Sequence, residues 1–257
     1  MMTPEEYNKS STPKYFNCCV IGGPGSGKTH FSATFPKFYS LLTEPDSHFI
    51  WTLNKELEKN CVGWDYFVPS SVGDTKAVWD RLRKAVLEAK DLFKQGKIET
   101  LVLDNLTYLS ENLWNYLEKH DPTLSKQGNV DTLKMYGDLA RDLYKFITYS
   151  CITFPGNFVL TVHEMQESDE AMAKKPDKSS PVVANVLGSF RNKVEGLFPV
   201  VLFLDKKETH DKNKPYQYMA RTNKCDRRNA KNRFNLPERI SNISYTTLIN
   251  AINNKEK

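Results

Sequence analysis

Residues Gly22-Gly23-Pro24-Gly25-Ser26-Gly27-Lys28-Thr29 fulfil the spacing G-x-x-x-x-G-K-[ST], and each residue type there has a task. Glycines let successive backbone N–H groups turn inward into an anion-binding concavity that side chains would fill. Lys28 offers a point charge to the β and γ phosphates of ATP, and the Thr29 hydroxyl is placed to ligate Mg²⁺. A helix opening at Lys28 adds the positive end of its dipole, and His30 follows within reach of the same nucleotide. The bland alternative is a glycine-rich turn that happens to contain Lys-Thr. Context separates the two, because the phosphate loop needs an apolar strand before it and a helix after it. Tyr15–Ile21 is β-prone and largely apolar, and His30–Phe35 suits a short helix stopped by Pro36.

Three further residues have the chemistry to complete a nucleotide site. Asp104 stands at the tip of the apolar run Leu101-Val102-Leu103, 75 residues beyond Thr29. That position matches a carboxylate holding Mg²⁺, usually through water, and the plain alternative is a cap for the next helix. Glu44 ends the strand after the first helix, where it could orient and deprotonate the water attacking the γ-phosphate. Asp46 is its rival, and a solvated turn carboxylate is the plain alternative. His163 ends another apolar strand and could contact the γ-phosphate, reporting hydrolysis to the loop that follows; a structural histidine is the alternative. Nothing resembles a Ser/His/Asp or Cys/His nucleophile arrangement.

These residues need strands that end together and helices that return the chain between them. Phe38–Thr43 predicts a second strand, and short strands are expected near Phe49–Trp51 and Tyr66–Val68. Val78, Leu82, Ala85, Val86, Ala89, Leu92 and Phe93 recur at helical spacing, predicting a helix over 74–95 stopped by Gly96. Two more helices are expected near 106–119 and 131–150, then the strand Phe158–Val162 ending at His163-Glu164. Residues 165–182 are polar, rich in lysine and read as a long loop. Val200–Leu204 and Tyr216–Arg221 predict an antiparallel hairpin about the turn 211–215, and a last helix is expected over 245–253. With no repeat or clear linker, the pattern is α/β, with residues 1–12 as an N-terminal extension and 13–257 as a single domain.

Composition narrows the class. The 257 residues are 39% hydrophobic and 12% aromatic, enough for a sizeable core. No run approaches the roughly 18 apolar residues of a membrane span, and the polar, acidic Met1–Tyr7 is no secretory signal. The five cysteines lack metal-ligand spacing and read as reduced, mostly buried thiols of a cytoplasmic protein with no membrane partner. Net charge is +5, yet Lys206–Arg233 alone holds ten Lys or Arg against three Asp or Glu. Such a segment suggests a polyanion surface, or else a solvated face.

Five elements in order resemble the RecA-like ATPases, and more closely the short, phage-type nucleotide-binding proteins that consist of a RecA-like core. They are Gly22–Thr29; Leu42-Thr43-Glu44-Pro45; Leu101–Thr107; Thr161-Val162-His163-Glu164; and Ala230–Pro237. The likeness spans about residues 13–240 and departs at Asn105, where many relatives have serine, and in the lysine-rich 170s. It implies a RecA-like P-loop NTPase core, with a mostly parallel twisted sheet flanked by helices and a C-terminal antiparallel hairpin. It implies an ATPase stimulated by DNA and acting on single-stranded DNA in homologous recombination or strand annealing. Glu44 then becomes the water-activating carboxylate, and His163 the sensor at the root of a DNA-contacting loop. Arg221 or Lys224 would reach a neighbour's ATP site, so self-association is implied, with a single-strand binding protein as a further partner in the host cytoplasm. The resemblance also implies no separate N-terminal oligomerisation domain. Candidate DNA contacts are Lys174, Lys175 and Lys178 after His163, and Arg227, Arg228 and Lys231 in the basic segment. Two other classes compete. A P-loop kinase would want a lid rich in arginine, which 165–182 lacks; an ATP-gated assembly or packaging factor would not bind DNA.

Overall fold

Alternation along β1 (Asn17–Gly22) sends Cys18 and Val20 to one face of the central sheet and Cys19 and Ile21 to the other, all fully buried. A strand covered on both faces reads as an unbroken apolar run, which is the pattern seen upstream of the phosphate loop. The computed structural model describes residues 14–125, 128–167, 180–209, 216–225 and 227–253. The extension 1–12, the hairpin turn 211–215 and Lys174, Lys175 and Lys178 lie outside the described residues.

The chain continues through α1 (Lys28–Ser32), β2 (Phe38–Leu42), α2 (Phe49–Thr52), α3 (Lys55–Glu58), β3 (Cys61–Tyr66), α4 (Thr75–Lys94) and β4 (Thr100–Asp104). It then forms α5 (Leu106–His120), α6 (Thr132–Lys145), β5 (Asn157–Gln166), β6 (Val182–Ala184) and α7 (Arg191–Leu197). The hairpin β7 (Val200–Glu208) and β8 (Tyr216–Arg221) follows, then β9 (Lys231–Asn232), β10 (Arg239–Ser241) and α8 (Tyr245–Asn253). Strand order is β10-β8-β7-β1-β5-β4-β2-β3. Strands β7 through β3 in that order are mutually parallel, and β8 and β10 add antiparallel at one edge. Strands β6 and β9 pair antiparallel with β5 and β7. The fold is therefore α/β, a mostly parallel sheet flanked by helices with a C-terminal antiparallel hairpin.

Helices cover both faces. Leu82 and Val86 of α4, Leu109 and Leu113 of α5, and Leu139 and Leu143 of α6 pack on one side. Phe31, Trp51, Leu57 and Leu248, from α1, α2, α3 and α8, pack on the other. Each such side chain contributes about 1.5–3 kcal/mol by leaving water. Among the described residues no helix is long and apolar enough to cross a membrane.

Three expectations are corrected. Phe49–Trp51 is helical rather than extended: Trp51 alone turns inward, edge-on to Phe38 at 5.3 Å, while Phe49 and Ile50 stay exposed. A three-residue apolar run is too short for its period to separate the two states. The strand expected at Tyr66–Val68 lies instead at Cys61–Tyr66, leaving out Phe67 and Val68; as the sheet edge it buries none of its side chains fully, and no apolar run marks it. His163 and Glu164 do not end β5, which reaches Gln166; Val182–Ala184 returns as β6 and supplies ladder partners to Glu164–Gln166. The helix over 131–150 is α-helical to Lys145 and continues as a π-helical turn, Phe146–Cys151.

Candidate active site

Register alone gathers the site at the carboxyl ends of the parallel strands. Gly22 of β1 pairs with His163 of β5, and Leu42 of β2 pairs with Asp104 of β4. Glu44 follows two residues after Leu42. Ligands of open α/β sheets lie in this crevice.

The phosphate loop leaves β1 and opens α1 at Lys28, with Gly27 as the N-cap residue at φ 94°. That left-handed backbone is nearly free for glycine and strained for other residues. Gly27 has a second constraint, since a Cβ there would sit 2.5 Å from the Tyr218 ring of β8. At Gly22 a Cβ would lie 2.4 Å from Ser26 Oγ and 2.8 Å from the Leu204 carbonyl. At these two glycines the loop is closed to side chains.

Lys28 is only 6% exposed and folds back over this loop. Its Nζ donates to the Gly22 and Gly23 carbonyls at 2.8 and 2.9 Å and contacts His163 Nδ1 at 3.3 Å. An ammonium can only donate, so Nδ1 accepts and the imidazole proton sits on Nε2. Nε2 faces Glu44 Oε2 at 3.5 Å. Burial lowers the Lys28 pKa, with Asp104, Glu44 and Glu164 pulling against it. For Glu44, contact with His163 is the largest influence and holds the carboxyl below its usual range despite partial burial.

Asp104 is completely buried at the end of β4. Its carboxylate accepts the Thr29 hydroxyl at 2.8 Å and a short bond from the Thr161 hydroxyl. The helix after it is capped instead by Asn105, whose Oδ1 accepts the Tyr108 N–H at 3.1 Å, so the capping alternative for Asp104 falls away. Thr29 and Asp104 together offer hard oxygen donors that fit Mg²⁺, and when bound there the ion would neutralise charge on the phosphates.

Burial pushes the Asp104 pKa up, so the ionised form is disfavoured in the folded chain relative to the unfolded one. Asp104→Asn is therefore expected to stabilise the metal- and nucleotide-free protein at neutral pH while weakening Mg²⁺-dependent nucleotide binding. Each kcal/mol relieved raises Tm by about 2–4 °C in a domain of this size. The advantage is full above the folded pKa and vanishes as pH falls to the unfolded value, where both states bind the proton. Thermal melts in chelator across pH check this; a variant less stable than wild type at neutral pH contradicts it.

A cavity of about 320 Å³ joins these parts, lined by Pro24, Gly25, Gly27, Lys28, Thr29 and His30 on one wall and Glu44, Asp46, Ile50, His163 and Tyr218 on others. His30 thus faces the nucleotide cavity, its ring 5.2 Å from that of Tyr218. Tyr218 went unnoticed in the sequence because only the β7–β8 register, Lys206 opposite Tyr218, carries it over the loop. Asp46 lines the cavity with φ 60°, while Glu44 alone touches both Asn105 and His163.

The basic candidates separate. Arg228 is half-buried and engaged by carboxylates of its own chain. It donates to Glu164 at 3.1 and 3.2 Å and to Asp205 at 2.9 Å, with its guanidinium 5.8 Å from the Phe203 ring. Arg221 pairs with Glu238 at 2.8 Å. Arg227 donates its Nε–H to the Ser180 carbonyl and Lys231 donates to the Gly196 carbonyl. Lys224 is exposed and borders a second cavity with Arg191 and Arg227.

A glycine cradle opening a helix, a buried lysine over it and a hydroxyl-bonded aspartate across the intervening β5 define a P-loop ATPase. The particular family is that of the AAA domain: its model matches residues 14–234, and the chain belongs to it. No curated protein sequence matches the chain. Among solved structures the chain is similar to one described as a prototypical ATPase from the type III secretion system of pathogenic bacteria. Identity is 15% and the TM-score 0.45, over 76% of this chain and 51% of that one, so the chain spans about half that protein's length.

Proposed function

We propose that the chain is a RecA-like ATPase core that couples ATP hydrolysis to single-stranded DNA, in phage-type recombination or strand annealing. One observation carries this reading. Strand β5 sets His163 against Lys28 and continues to Gln166, directly ahead of the sequence bearing Lys174, Lys175 and Lys178. A change at the γ-phosphate felt by His163 thus has a rigid element along which to reach a basic segment. The position of β5 between the phosphate-loop strand β1 and the Asp104 strand β4 supports the RecA-like core.

Glu44 serves as the base for the attacking water, His163 holds Glu44 and senses Lys28, and Thr29 and Asp104 keep the metal. Lys174, Lys175 and Lys178 make the ATP-coupled DNA contacts, while Arg227 and Lys231 add affinity. Lys224, exposed, is the better of the two residues to reach a neighbour's site in a self-associated form, because Arg221 is engaged by Glu238. A cytoplasmic setting and a single-strand binding protein as partner complete the reading.

The test measures ADP formation with and without single-stranded DNA. Faster turnover with DNA supports the proposal; phosphate transfer to an added acceptor marks a kinase instead. ATP turnover indifferent to DNA, with no DNA bound, marks an assembly factor. Neutralising Lys174, Lys175 and Lys178 together is expected to weaken binding on any sequence, since phosphate contacts carry no base information. Each lost contact flattens the log–log salt dependence by roughly 0.7. Unchanged slope and affinity there, and in an Arg227/Lys231 double variant, would remove DNA from the reading.

A further inference from the structure

Two hydrogen bonds by one buried amide tie the base candidate to the frame of the site. Asn105 is fully buried at the turn from β4 into α5. Its Oδ1 caps α5 at the Tyr108 N–H, and its Nδ2 donates to Glu44 Oε2 at 2.6 Å. Its own backbone is locked as well. The Asn105 N–H donates to Thr43 Oγ1 at 2.8 Å and the Thr43 hydroxyl donates to the Asn105 carbonyl at 2.5 Å. The Thr43 N–H in turn donates to the Asp104 carbonyl at 2.8 Å. The ends of β2 and β4 are zipped together, with Asn105 presenting one donor across the seam.

That donor meets one oxygen of the base candidate. Oε2 of Glu44 receives Asn105 at 2.6 Å and faces His163 Nε2 at 3.5 Å, so both contacts fall on one oxygen of a carboxylate that lines the cavity. A carboxylate on a flexible turn has several rotamers, and a general base must sit within hydrogen-bond reach of the proton it removes. We propose that Asn105 is a positioning residue for hydrolysis, fixing the Glu44 carboxylate through Nδ2 while its cap anchors that amide to α5. This inference rests on Glu44 being the base.

Substitutions can separate the two bonds. Asn105→Asp keeps an acceptor for the Tyr108 N–H but replaces the donor to Glu44 with a second carboxylate. Asn105→Ser keeps a capping hydroxyl, a good N-cap, on a side chain too short to hold Glu44. Asn105→Ser is expected to bind a non-hydrolysable ATP analogue as wild type does, with kcat down roughly 10–100-fold, the range for losing a hydrogen bond to a charged group; Asn105→Asp, which sets a buried carboxylate against Glu44, is expected to lose at least as much hydrolysis. A purely structural role would instead lower Tm and analogue affinity together.

The deciding measurement is a double-mutant cycle with Glu44→Gln. If Asn105 acts through Glu44, adding Asn105→Ser to Glu44→Gln costs no further hydrolysis. An equal loss in both backgrounds overturns the inference, as does undiminished kcat in Asn105→Ser with normal analogue binding. If Asn105→Asp fails to fold, the Asn105→Ser arm decides alone. Failure of the underlying reading looks different, because Glu44→Gln by itself would then leave hydrolysis intact.

Discussion

Lys28→Ala is expected to abolish tight ATP binding, by about 100-fold or more, while the fold survives. The ammonium has three protons, and without nucleotide they meet the Gly22 carbonyl, the Gly23 carbonyl and His163 Nδ1. The His163 contact, at 3.3 Å, is the longest and the one a phosphate oxygen most easily displaces. Charge-assisted bonds to phosphate are roughly twice as strong as neutral ones, and alanine removes them all. Stability should change little: burial already disfavours the charged lysine, so removing it also relieves a desolvation cost. Titration with a fluorescent ATP analogue, beside a thermal melt, gives both readouts. Unchanged affinity would sink the phosphate-loop reading.

Glu44→Gln is expected to keep ATP binding and lose about 10²-fold or more of hydrolysis, the scale of a lost general base. Glutamine preserves size and can still meet Asn105 and His163, so the loss reports the proton acceptor. The pH dependence has a definite sign. His163 holds the Glu44 pKa down, so the base form persists as pH falls and the acid limb of kcat lies below the usual carboxylate range. Asp46 supplies the control, since it lines the cavity without the Asn105 and His163 contacts. Loss of hydrolysis in Asp46→Asn, with Glu44→Gln active, would exchange their roles.

By itself the sequence determined the phosphate loop, its flanking strand and helix, and the apolar strands that deliver Asp104 and His163. Those features are local: glycine freedom, a contiguous apolar run or a helical period is set by residues within a few positions of one another. The union of Glu44 with Asn105, 61 residues apart, and of Lys28 with His163, 135 apart, was decided by strand order and register. Asn105 looked like a departure from a pattern, and no local signal marks it as the residue joining a helix cap to Glu44. Tyr218 reaches Gly27 only because the hairpin folds back over β1's loop. Arg228 looked like one more surface cation in a basic segment. Tertiary structure set Glu164 and Asp205 beside it, a pairing that charge counting along the sequence does not show because the partners lie on other strands.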